Sequence, residues 1–270
     1  MLRKLLVFTL TAAILTNGHA LGPRRQEGAD AVAASSAQEQ AAYIGTQAIL
    51  ESFIDFDTGT YLTAKEYPKE LVELYNYYPE TKEFVLQYFE KKDQPVTYDL
   101  SADLTPGEIP HLLQWDMRWG YQTYYDEIMA VSGCGPMALA MVGLGLTGDT
   151  ETFDPLRVAA FSAENGFYVA GSGTSWLLMG DGARMLGLTV HDVELSVEGI
   201  SASIRAGRPV ICSMGPGDFT ETGHFIVLYD VDDSGSVAVR DPVSISRTGK
   251  RWDLASLIPQ IKILWGYSAE

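Results

Sequence analysis

The amino-acid sequence predicts an α+β protein in which helices come first, an antiparallel sheet follows, and a helical extension precedes both. Three observations carry that reading. Apolar residues recur at helical spacing over 68–91, and helix formers again fill the run that begins at Cys134. β-Branched and aromatic residues then crowd into short runs at 189–193, 210–214, 224–230 and 236–240. Between the last two runs, Asp232-Asp233-Ser234-Gly235 has the composition of a hairpin connection, which makes the strands it joins antiparallel.

Taken in order, residues 1–20 have the pattern of an export signal. Arg3 and Lys4 precede the apolar run 5–15, and Gly18-His19-Ala20 supplies small residues at a cut. The run is shorter than the roughly 20 apolar residues of a membrane span, so cleavage is expected, with an uncleaved anchor as the alternative. No cysteine near the cut suggests a lipid anchor. Residues 21–38 are rich in Gly, Ala, Ser and Gln and read as a flexible leader. Helical patterning covers 39–53. The 68–91 pattern breaks at Tyr78-Pro79-Glu80, because proline disfavours the α conformation in the residue before it and suits the first position of a new helix. Two helices are expected there, one lined by Leu71, Leu74 and Tyr75, the other by Phe84, Val85, Tyr88 and Phe89. This extension contains neither His nor Cys, so its expected role is packing, or covering a cleft as a lid or inhibitory pro-region. Residues 92–107 are polar, include Pro95, Pro106 and Gly107, and read as a linker. The expected organisation is a signal at 1–20, a leader and helical subdomain at 21–107, and the main domain at 108–270. Within the latter, helices are expected at 134–146, 155–165, 175–186 and 197–206.

Composition narrows the function. The chain carries 35 acidic and 19 basic residues; without Arg3 and Lys4 the mature protein would hold 17 basic against 35 acidic, a net charge of −18. Such a surface repels phosphate backbones and anionic lipid, which excludes nucleic acid and stable membrane association as expected partners. About 250 residues suffice for one large core, and a monomer is expected. The two cysteines, Cys134 and Cys212, are too few for a disulfide scaffold, although a single bridge between them stays open. Cys212 lies in an apolar run, 209–214, and reads as a small buried hydrophobe. No C-x-x-C occurs and the histidines are scattered, so no metal or other cofactor is expected. The glycine-rich Gly171-Ser172-Gly173-Thr174-Ser175 lacks a phosphate-binding lysine, and Ser175 reads as a helix cap.

Chemistry concentrates on Cys134. Ser132-Gly133-Cys134-Gly135-Pro136 passes from loop residues into helix formers, so the sulfur sits at a helix start, where unpaired N–H groups favour a thiolate. His224, in Gly223-His224-Phe225, and Asp241, in Arg240-Asp241-Pro242, supply a base and an orienting carboxylate. The hairpin relates them. If Asp232 pairs with Gly235, opposite residues sum to 467 in number, so His224 faces Val243 and Asp241 faces Ile226. The two are then diagonal neighbours on one face of the sheet, and a one-residue slip would part them. Each residue alone has an ordinary structural role; the set in this order suits nucleophilic catalysis. Trp115, Trp119, Tyr121, Tyr124 and Tyr125 cluster before the cysteine and suit either core packing or a substrate wall. The Gly215-to-Thr220 turn leading into His224 is expected on the cleft rim.

The chain resembles the C39-like group of papain-fold cysteine peptidases. The matching segments are Ile109-Pro110, Gln114-Trp115-Asp116-Met117-Arg118-Trp119-Gly120, Ser132-Gly133-Cys134-Gly135-Pro136, Thr222-Gly223-His224-Phe225 and Asp241-Pro242. The resemblance implies a papain-like fold, Cys134 as nucleophile, His224 as base and Asp241 as orienter. It also implies Gln114 as an oxyanion donor beside the Cys134 backbone N–H, although the bacteriocin-processing branch carries its glutamine only a few residues before the cysteine and this chain does not. The implied activity is hydrolysis of a peptide or protein substrate by an exported enzyme. A peptidoglycan amidase or acyl transferase of the same design, and a non-catalytic peptide-binding module, are the alternatives.

Overall fold

The computed structural model describes residues 58–171 and 173–269. The expected signal, leader and 39–53 helix lie outside the described residues. The chain divides at Thr58/Gly59, and everything below concerns the unit Gly59–Glu270.

The extension supplies α1 (Thr58–Ala64), α2 (Lys69–Tyr77), a 3-10 turn at Pro79–Thr81, α3 (Lys82–Leu86) and α4 (Tyr88–Lys91). The break falls where proline predicts it, with Pro79 opening the new turn. Leu71, Leu74, Phe84 and Val85 are buried as expected, while Phe89 is a correction: it lies in α4 52% exposed, with its ring 4.7 Å from Tyr67. The buried residues form one cluster with Tyr121, Ala130 and Val243 of the main domain. Phe84 stacks on Tyr121 at 4.2 Å, and Tyr121 Oη donates to the Phe84 carbonyl at 2.8 Å. Each such aromatic or leucine burial is worth about 1.5–3 kcal/mol, so the extension shares its core with the main domain. The polar segment 92–107 is anchored as well: Leu100 enters the main core, Tyr98 donates to Asp154, and Asp103 takes two hydrogen bonds from Arg118.

The main domain opens with a two-stranded hairpin, β1 (Thr123–Tyr124) and β2 (Glu127–Ile128), followed by α5 (Met129–Ser132) and α6 (Cys134–Thr147). Residues 135–144 of α6 are all buried, as a helix apolar on every side must be. It packs on α7 (Pro155–Glu164), which starts at Pro155 behind an Asp154 cap, and on the sheet. A second hairpin, β3 (Tyr168–Val169) and β4 (Gly173–Thr174), follows. The expected 175–186 helix is shorter and irregular: a π-turn at Leu178–Gly182 runs into α8 (Ala183–Met185), after Ser175 Oγ accepts from the Leu177 N–H.

The sheet is formed by β5 (Leu188–His191), β6 (Val210–Met214), β7 (His224–Val231), β8 (Ser236–Arg240), β9 (Arg251–Asp253) and β10 (Ile261–Ala269), in the order β5-β10-β6-β7-β8-β9, all antiparallel. Between strands lie α9 (Val197–Arg205), capped by Ser196, and two single turns, α10 (Ile245–Thr248) and α11 (Leu254–Leu257). Helices lie against both faces: α6 shares a core with Ile211, Phe225 and Val227, and α9 shares another with Cys212, Ile226 and Leu228. The fold is therefore the expected α+β arrangement. Strand β10 is absent from the sequence-based expectation, yet it lies inside the sheet between β5 and β6; its signal, Ile261-Lys262-Ile263-Leu264-Trp265, is β-branched and aromatic.

Candidate active site

A register decides whether His224 meets Asp241. Near the turn, Asp230 pairs with Ala238 and Val231 with Val237, sums of 468. Asp232 pairs with Ser236, accepting and donating around a connection in which Gly235 takes a positive φ of 80° and the Asp232 carboxylate holds the Ser234 and Ser236 N–H groups. The expected Asp232–Gly235 pairing is thus one residue out. A bulge between Leu228 and Asp230 then restores the sum: Leu228 faces Val239 and Val227 faces Arg240, at 467. The register that matters is the one expected, reached through an irregularity that cancels a longer turn.

His224 Nε2 lies 2.6 Å from Asp241 Oδ1, with both side chains buried. Asp241 is ionised and can only accept, so Nε2 carries the proton and Nδ1 is left for the sulfur of Cys134, with which the imidazole also hydrogen-bonds. Burial by itself would lower the imidazole pKa. The charge of Asp241 and the hydrogen bond to it outweigh burial, with the Cys134 contact adding to them, and hold the pKa well above the ordinary histidine value. Burial would raise the Asp241 carboxyl; the charge of His224, its hydrogen bond, the Val243 N–H at 3.0 Å and the charge of Arg247 hold it below the usual range instead.

Cys134 is partly exposed at the first position of α6, and both cysteines are free thiols, so the open possibility of a Cys134–Cys212 bridge is not realised. Cys212 is fully buried on β6, and burial pushes its thiol pKa up. Behind Cys134, Gly135 is pressed against the second hairpin. A Cβ at this position would lie 2.5 Å from Cβ and Oγ1 of Thr174. Thr174 is tied in turn to Tyr124 at 3.0 Å, and Tyr124 to Ser162 at 2.8 Å, which fixes the hairpin against the helix start.

Cys134 and His224 open onto a cleft of about 890 Å³. Its walls include Tyr168, Thr174, Trp176 and Leu177 from the β3–β4 region, Ser213 from β6, Thr222 and Gly223 ahead of β7, and Lys262 from β10. Trp176 is held there by a hydrogen bond from its indole N–H to Ser213 Oγ at 2.9 Å. Trp176 and Leu177 were not singled out from sequence; the available signal was a tryptophan and a leucine directly after a cap residue, both of which the fold leaves exposed. The aromatic run before the cysteine serves packing instead: Trp119, Tyr121 and Tyr124 are buried, and Tyr125 stands exposed in a left-handed conformation, φ 63°, stacked on Tyr168. The 215–220 turn adds a core residue, Phe219, while the cleft edge itself falls at Thr222 and Gly223.

Gln114 does not join this group. It is buried, outside the cleft lining, and its side-chain N–H groups go to the carbonyls of Ala130 at 2.7 Å and Val131 at 3.4 Å, while its Oε1 has no partner among the described residues. It braces the turn that leads into Cys134. His111, set aside in the sequence as a scattered histidine, lies at the back of the site, its Nε2 2.8 Å from the Asp241 carbonyl and 3.1 Å from Thr248 Oγ1.

A partly exposed cysteine at a helix start, facing an imidazole that a buried carboxylate orients from an antiparallel sheet, is the arrangement of a papain-like α+β domain. Over residues 107–265 the sequence matches the Peptidase_C39 like family. The chain belongs to that family. Among solved structures it is similar to the peptidase domain of Streptococcus ComA, described as a bifunctional ABC transporter involved in a quorum-sensing pathway, with 17% identity and a TM-score of 0.40 over 52% of this chain and 93% of that one. A protein described as a C39-like peptidase from Bacillus anthracis gives 19% identity and a TM-score of 0.35 over 61% of this chain and 96% of that one. A search of curated proteins finds no match.

Proposed function

We propose that this protein is an exported cysteine peptidase that hydrolyses peptide bonds through a thioacyl intermediate, with Cys134, His224 and Asp241 as its triad. The observation that carries the reading is the single imidazole shared between the Asp241 carboxylate, at 2.6 Å, and the Cys134 thiol on the floor of an open cleft. In this mechanism His224 Nδ1 takes the thiol proton and the sulfur attacks the substrate carbonyl carbon. The backbone N–H of Cys134, at the start of α6, donates to the oxyanion that forms. Collapse expels the amine, which takes the proton from Nδ1. Water then adds to the thioester with the same nitrogen as base, releasing the acid and restoring the thiol. Export rests on Arg3, Lys4 and the apolar run 5–15.

The test is peptide-library hydrolysis by the purified protein beside Cys134→Ala. The expected result is cleavage by the wild type and its loss, by at least about 10³-fold, in the variant. Turnover that survives the substitution would end the proposal. Release of fragments from cell walls with no cleavage of linear peptides would move the substrate to peptidoglycan stem peptides, and binding without product would make the cleft a recognition site only.

A further inference from the structure

Asp241 is held by a turn that lies within the family match, but the start of that turn is fixed by a residue before 107, outside the match. Asp241 receives hydrogen bonds at Oδ1 from the Val243 N–H and at Oδ2 from Arg247 Nη1, the latter at 3.4 Å, and its own N–H donates to Thr248 Oγ1 at 2.9 Å. Arg247 and Thr248 both belong to α10, a single turn of four residues. So short a helix has no stability of its own and depends on what fixes its ends. Its first turn is fixed from the extension. Glu80 accepts from Ser244 Oγ at 2.6 Å with one carboxylate oxygen and from the Ile245 N–H at 3.1 Å with the other. Ser244 Oγ, its proton thus directed to Glu80, offers its lone pairs to the Arg247 N–H at 3.2 Å. The neighbouring Tyr78 ring lies 5.3 Å from the Arg247 guanidinium.

We infer that Glu80 is a positioning residue of the active site: its carboxylate sets the start of α10, and α10 sets the carboxylate that orients His224. This rests on the chemistry proposed above for Cys134 and His224. The extension is then a working part of the catalytic unit, and a displaceable lid or pro-region role for 78–81 does not fit. Charged and titratable groups around the pair are Cys134 from α6, Arg247 from α10, and His111 and Arg240 behind the Asp241 backbone. Glu80 touches neither the thiol nor the cleft, so its effect is transmitted through Ser244 and α10.

The experiment uses the full chain and measures the pH dependence of Cys134 alkylation by iodoacetamide, alongside kcat and KM for a cleaved peptide. In Glu80→Ala the acid-side rise of the alkylation profile should move to higher pH, because a loosened Asp241 supports the imidazolium, and with it the thiolate beside it, less well. The same variant should lose about tenfold in kcat with KM within about twofold. Glu80→Gln, which keeps an acceptor for Ser244, should recover part of both. Ser244→Ala removes the same link from the other side and should shift the profile in the same direction, with the double variant no worse than the poorer single one. A wild-type alkylation profile in a folded Glu80→Ala or Ser244→Ala protein would overturn the inference, as would additive effects of the two. Alkylation needs no turnover, so absence of peptide hydrolysis in the wild type would sink the peptidase reading while leaving this inference to be decided by the profile.

Discussion

At the scale of single residues, the site turns on how a buried imidazole keeps its charge. Desolvation works against the imidazolium at His224, and the carboxylate 2.6 Å away, with the Cys134 contact adding to it, reverses the balance. Asp241→Asn removes the charge and keeps the shape. Its expected effect is a fall in kcat/KM of about 10²–10⁴, with the alkaline limb of the pH–rate profile moved down, since the active imidazolium–thiolate form is lost as pH rises through the lowered His224 pKa. An unchanged profile would mean that Asp241 does not orient the base. The two cysteines should differ sharply: iodoacetamide at neutral pH should label Cys134 and spare Cys212, which is fully buried and whose thiol burial holds in the neutral form. Peptide mapping of the labelled protein reads this directly. Gln114 should behave as a brace. Gln114→Ala is expected to cost about 1–3 kcal/mol in urea unfolding, through the carbonyls of Ala130 and Val131 left without their donor, and to change kcat by less than tenfold. A loss of about 10²–10³ in kcat with stability intact would return its amide to the oxyanion.

Elements impose a different constraint, that of approach. The start of α6 can reach the cleft wall only because Gly135 has no side chain where Thr174 stands. Gly135→Ala must push the β3–β4 hairpin or the helix by more than a bond's flexibility allows, at a cost of about 1–3 kcal/mol, although alanine is the better helix former. Thermal melting should show the loss, and Cys134 alkylation should slow with it; a more stable protein would mean that the hairpin yields freely. Element boundaries were largely legible in sequence. The 210–214 and 236–240 strands begin and end where composition places them, and α6 is one residue longer than expected. The hairpin register was legible only in part, because a bulge changes the count of paired residues without leaving a compositional mark at Tyr229. Strand β10 carried a readable signal; the short β1–β2 and β3–β4 hairpins, two residues a strand, had too few residues to show alternation.

For the whole molecule, the coupled pair sets a pH window of stability. The Asp241 carboxyl is held below its ordinary value, so its contribution is present above about pH 4 and is lost as pH falls through the folded-state pKa. His224 is raised, so its contribution is complete below about pH 6.5 and is lost as pH rises through its folded-state pKa. Unfolding free energy from urea titrations should therefore gain from this pair most between those limits, and His224→Ala should destabilise more at pH 6 than at pH 9. Equal destabilisation at both would remove the ion pair from the account. The extension enters at this scale too. Its helices were legible as amphipathic segments with a break at Pro79, but nothing in their pattern said that their apolar face meets Tyr121 and Val243, or that Glu80 reaches Ser244, 164 residues on.

What the sequence determined by itself was local chemistry: a thiol at a helix start, an imidazole and a carboxylate on the strands of one hairpin, a glycine beside the cysteine, and the helix and strand periods that carry them. Those features depend on neighbours a few residues away, so spacing and residue type suffice to read them. The tertiary structure alone decided that the Gln114 amide stays out of the cleft, which aromatics wall it, and which remote carboxylate steadies Asp241. Each of these depends on side chains brought together by packing across the chain, where no local period records the partner.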